Sequence, residues 1–284
     1  MQPVAKYTTS SVRDVARNTE NPDICFPPMN SNAAYFVPES SIVRTIWGKS
    51  DTILFIFAGS AAEFALNKAV DWLYYTGKLP ADPLGRLFST VAYARQIVFA
   101  EKEKAHAAID TISAIHGAIE NKRGYRIPDW AYRDVLFMLI HYSIASYELL
   151  ERKLTDPEKE EVYDVFYRLG ARMQLKELPA NYDAWTASRQ QHLETDLVKS
   201  DYTTDLYKQY CKHLGGIRYT LLIESQKMVV PGIVREMLGF HKRYWLKAIL
   251  PLYKASRMVR LDGFFKDMLL PSAYKQQIKA LDRH

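Results

Sequence analysis

The chain has 284 residues, 48% of them hydrophobic and 25% charged, with only 12 glycines and 13 prolines. That balance excludes a disordered or collagen-like chain and describes a globular protein long enough for one large, mostly helical core. A formal charge of +6 could serve nucleic acid, but the basic residues are spread out, with no zinc-finger spacing and no glycine-rich RNA-binding signature, so no nucleic-acid partner is expected.

Residues 1–40 are polar and interrupted by Pro22, Pro27, Pro28 and Pro38. They read as an N-terminal arm without the apolar stretch of a signal peptide. Ser40 or Ser41 can cap a helix over 40–47. A long apolar-rich helix is expected over 52–76. Its most apolar run, 53–62, is too short to span a bilayer. The break "GKLPADP" follows. Asp82 then caps a helix over 83–100 with Pro83 at its first position. Leu84, Leu87, Val91, Ala94 and Val98 form its apolar stripe.

The next helix, over 102–121, carries Ile109, Ile112, Ile115 and Ile119 on one broad face, and His116 shares that face. Residues 121–129 form a loop and 130–153 a helix with a very apolar centre that holds His141. Thr155 and Pro157 open the following helix. Further helices are expected over 181–199, 203–210, 228–238 and 241–258, and no strand or repeat stands out. The fold expected is all-α: an arm over 1–40, one core over 41–240 and a helical extension over 241–284, with about 8–11 helices in all.

Several chemistries fail at the level of spacing. A di-iron bundle needs two Glu-x-x-His pairs and two more glutamates. Here one such pair exists, Glu103 with His106, in a lysine-rich turn that reads as a solvated helix start. There is no His-Glu-x-x-His, no P-loop, no dinucleotide fingerprint and no serine-hydrolase elbow. Gly215-Gly216 reads as an isolated turn. Cys25 and Cys211 form no disulfide framework, which suits a reducing compartment. Neither belongs to a C-x-x-C-H sequence, so covalent haem attachment is excluded. His116 remains. An imidazole on a buried face bonds a backbone carbonyl or binds something else, an axial position on haem iron being one such use. His141 has a similar claim, and periodicity does not choose between them.

The order of elements resembles the oxygenase family that contains the bacterial rubber oxygenases (latex-clearing proteins) and the mycophenolic-acid-pathway oxygenase MpaB. The residues that carry the resemblance are "RLFST" (86–90), "ISAIHGAI" (112–119), Tyr125, "DVLFMLIHYSIASYELL" (134–150), "DPEKEEVYDVFYRLGARM" (156–173), "LPANYDAW" (178–185) and "VPGIVREMLGF" (230–240). No one of these is specific, but their order and spacing together are. The resemblance implies a helical pocket for non-covalent haem b, with dioxygen as co-substrate. It implies His116 as the proximal iron ligand. Arg86 and Thr90 would lie on the distal side, to polarise dioxygen or position substrate. Tyr93 and His141 would be pocket neighbours. The implied enzyme is a haem-dependent oxygenase acting on a small apolar substrate, isoprenoid or lipid-like, with oxidative cleavage of a C=C bond as one such reaction.

The chain departs from the family pattern in two places. Rubber oxygenases have a lysine just before the threonine, where this chain has Ser89, so lysine ligation of the resting iron is not expected. The usual histidine-proline pair of the first core helix is Gly59-Ser60 here. A distal base would fall on Glu63 or Asp71, although either reads first as a surface acid. The fold alone leaves open a peroxidase-like or dealkylating haem enzyme, a non-catalytic haem- or lipid-binding protein, and a cofactor-free scaffold. The mixture of Lys, Arg, Tyr, Trp and Leu over 241–265 suits either an interfacial helix on a membrane or a helix packed on the core with a wet basic side. The location expected is cytoplasmic, with peripheral membrane contact through that segment.

Overall fold

The computed structural model describes residues 34–75, 77, 81–241 and 245–258. Most of the expected N-terminal arm and the end of the C-terminal extension lie outside the described residues. Those described fold as an all-α domain, with two isolated β-bridges and no strand among them.

Local chemistry sets most helix starts. Ser41 caps α1 (Ile42–Trp47) by accepting from the Val43 amide at 3.1 Å. Asp82 caps α4 (Pro83–Phe99), accepting from Gly85 at 2.8 Å with Pro83 in the first turn. α5 (Lys102–Arg123) ends at Gly124, whose positive φ of 78° suits a residue without a Cβ. Thr155 and Glu158 form a reciprocal capping box at the start of α7 (Asp156–Arg172). Asn181 caps α8 (Tyr182–Thr195) through Ala184 at 2.9 Å.

The expected 52–76 helix is instead two helices, α2 (Ser50–Phe64) and α3 (Asp71–Tyr75). The cause is tertiary. The backbone at 66–68 pairs with 196–198: Val198 donates to the Leu66 carbonyl at 2.7 Å and Lys68 to the Asp196 carbonyl at 2.9 Å. The Asn67 side chain accepts from Ala69 at 2.8 Å and donates to Asp134 at 2.8 Å. Helical hydrogen bonding gives way there to pairing with a distant segment.

Helix α6 (Asp129–Leu150) is central, packing against α2, α7, α8 and α9 (Asp201–Val229). Its Met138, Ile140 and Tyr142 are fully buried with Ile53 and Ile56 of α2 and Trp47 of α1. Trp47 Nε1 donates to Ser143 Oγ at 3.2 Å, so the indole is polar-satisfied as well as buried. The turn expected at Gly215-Gly216 is present: Gly215 has φ 74° and ψ 164°, non-helical angles that glycine adopts without steric cost, and the two helical segments of α9 meet across a kink there, the first running past the expected end at 210. Two short elements follow, α10 (Gly232–Met237) and α11 (Leu246–Met258), the latter with Pro251 inside it.

Candidate functional site

The sequence placed its candidates on adjacent helices, and α4 and α5 do pack against each other. Thr90 and Tyr93 of α4 are half-buried. Arg86 is in α4, but its side chain lies outside the described residues, as do those of Leu84 and Leu87; Val91 and Val98 of the expected stripe are buried. The α5 face is less covered than its periodicity suggests. Ile109 is buried, Ile112 and Ile119 are half-buried, and Ile115 is 41% exposed. The buried residues of α5 are Ala105, Ala108 and Ile109, all in its first half.

His116 is thus half-buried, its ring 5.1 Å from that of Tyr132 on α6. A Cβ built on the half-buried Gly117 meets nothing within 4 Å, so there is open room beside the histidine. Glu103 is exposed and His106 packs edge-on against Phe36, as a solvated helix start would have them. Tyr125 is exposed.

The densest chemistry lies at the junction of α2, α6 and α8. Glu63, expected as a surface acid, is 0% exposed. It accepts from Tyr142 Oη at 2.8 Å, from both terminal nitrogens of Arg189, and pairs with His192 Nε2 at 3.0 Å. These contacts use the acceptor positions of the carboxylate. Burial alone would raise this carboxyl, but the Arg189 guanidinium and His192 outweigh it and hold it far below the usual carboxylate range. Glu63 is therefore a poor base and a firm structural anion. The other candidate, Asp71, is half-buried and bonds Arg123 at 2.7 Å, tying α3 to the end of α5.

His192 Nδ1 lies 2.7 Å from Asp134 Oδ1 and 3.5 Å from Asp196 Oδ2. Burial lowers the affinity of His192 for a proton, but Asp134 and Glu63 overcome this and push its pKa up to about 9. Burial raises the Asp134 carboxyl against the pull of His192 and Asn67. Asp134, His192 and Asp196 each present one ligand atom, all within 4.8 Å of one another, so the group could hold a cation. The His192 imidazolium and the Arg189 guanidinium offset two of the three carboxylates Glu63, Asp134 and Asp196, so ion pairing already holds most of the charge there.

His141 borders this junction on α6. Burial, reinforced by nearby Arg189, pushes its pKa down to about 4, so the ring is neutral. The ring bonds the Val229 backbone, and Nε2 is buried with no hydrogen-bond partner. The sequence offered a signal for the network, since Glu63 and Asp134 are acids set in very apolar helices. It offered none for the partnership of Arg189 with Glu63, which are 126 residues apart.

These features define an all-α domain with a buried ionic junction and, one helix pair away, a histidine beside open space. The family model described as "ER-bound oxygenase mpaB/B'/Rubber oxygenase, catalytic domain" matches residues 47–261, and the chain belongs to that family. It is accordingly an enzyme of the oxidoreductase class, of oxygenase type. No curated protein and no solved structure matches the chain.

Proposed function

We propose that the protein is a haem b-dependent oxygenase acting on a small apolar substrate, isoprenoid or lipid-like. The observation that carries this is the state of α5: an apolar half-helix with no fully buried residue, bearing His116 next to the open room at Gly117. Left uncovered, that apolar strip costs free energy. A flat apolar group seated there would cover it and place its iron within reach of the imidazole. The residues present fit such a group.

In this reading His116 holds haem, which when bound supplies the dioxygen chemistry. Thr90 and Arg86 of α4 would be the residues to donate hydrogen bonds toward dioxygen or substrate, where developing negative charge needs stabilising. Tyr93 shapes the same side. The buried junction of Glu63, Arg189 and His192 takes no part in proton transfer and clamps α2 to α8. One observation favours a second ligand assignment: His141 is neutral, bonded to the Val229 backbone, and its buried Nε2 has no hydrogen-bond partner.

Turnover of an alkene such as squalene under labelled dioxygen tests the reaction. Label in carbonyl products supports oxidative cleavage. Products without label, formed only with peroxide, point to peroxidase-like chemistry and would overturn the oxygenase reading.

A further inference from the structure

Helix α11 turns an apolar stripe outward. Trp245, just before the helix, and Ala248, Ile249 and Leu252 follow one another at three- and four-residue steps and so share a face. All four are exposed, Trp245 by 47%, Ile249 by 43% and Leu252 by 68%. The adjoining face holds the helix on the protein. Leu246, Leu250 and Tyr253 are half-buried there, and Tyr253 Oη donates to Asp51 Oδ2 at 3.2 Å. α11 also packs against α9. The stripe is therefore not the side that seats the helix.

The surrounding sequence is strongly one-signed. Lys242, Arg243, Lys247, Lys254, Arg257 and Arg260 lie between Glu236 and Asp262, with no acidic residue among them. No helix among the described residues is long and apolar enough to cross a membrane.

We propose that the outward face of α11 docks on a membrane surface containing anionic lipid, with the helix lying in the interface plane. The stripe holds aliphatic and indole surface and no hydrogen-bonding group other than the indole N–H, which suits a non-directional apolar phase. The basic residues that flank it in sequence match anionic headgroups. A second copy of this chain would bring like charges together. This inference is independent of the haem reading and adds a route by which a lipid-like substrate reaches the enzyme.

Flotation of the full chain with vesicles tests it. Binding to phosphatidylcholine vesicles containing phosphatidylserine is expected to exceed binding to phosphatidylcholine alone by at least about tenfold and to weaken with added salt. Ile249→Asp with Leu252→Asp is expected to lower binding by at least about tenfold without changing the thermal melt, because both side chains face outward. Brominated lipid is expected to quench emission from the wild-type protein and not from Trp245→Phe. Equal binding by the double variant, indifference to lipid charge or identical quenching in Trp245→Phe would overturn the proposal. So would a dimer that these substitutions dissolve while vesicles bind neither form.

Discussion

Gly59→Ala is the smallest perturbation with a large expected effect. The added Cβ would sit 2.2 Å from Tyr142 Cδ1 and 2.3 Å from Cε1, where ordinary contact begins at 3.4 Å, so the ring must retreat by about 1.2 Å. Tyr142 is fully buried and its hydroxyl holds Glu63 at 2.8 Å, so a retreat of that size breaks the bond. Overpacking costs about 1–3 kcal/mol. Losing a buried hydrogen bond to a charged group adds about 1.5–3 kcal/mol. The sum, roughly 3–6 kcal/mol, is a large part of the roughly 5–15 kcal/mol that holds a typical domain together. Urea unfolding followed by circular dichroism measures it, and Gly59→Ala combined with Tyr142→Leu should cost less than the two single changes added. A loss below about 1 kcal/mol, or strict additivity, would refute the coupling. The same geometry gives a physical reason for the missing histidine-proline pair: any side chain at position 59 needs the room that Tyr142 fills.

Two further outcomes follow from the buried junction. Glu63→Gln leaves Arg189 and His192 as buried cations without their shared anion and is expected to cost about 3–5 kcal/mol in the same unfolding assay; a neutral effect would mean the junction is not ionic. Stability should also peak near pH 6.5, the unfolded histidine value. Above it, His192 keeps its proton in the folded state up to about 9, so its contribution is full below 6.5 and lost as pH rises through that range. Below it, the unfolded chain protonates His141 while the folded ring stays neutral down to about 4, so stability falls with pH there. A melting temperature flat from pH 4 to 9 would contradict both assignments.

What the sequence made legible is what local chemistry decides. The caps at Ser41, Asp82 and Thr155 bond amides two or three residues away, so each can be read within one turn. The break between α2 and α3 could not be, because the backbone of Leu66 and Lys68 is claimed by residues 196–198. The turn at Gly215-Gly216 is legible for the same local reason as the caps, since a glycine there takes the positive φ that interrupts the helix. Burial of α5 was overread: the isoleucine spacing is real, but its second half lacks the covering that spacing implies. Glu63 was misassigned to the surface because its neutralising partners lie on a helix far along the chain. An acid flanked by Ala61, Ala62, Phe64 and Ala65 was the clue.

The central claim is that α5 presents His116 to a haem, and the absorption spectrum of the full chain titrated with haemin, with and without dithionite and carbon monoxide, tests it most directly. Wild type is expected to give a Soret band with stoichiometric binding. His116→Ala should lose it, and His141→Ala should retain it. A wild-type protein that binds no haem would contradict the account, and so would a band that survives His116→Ala and disappears in His141→Ala.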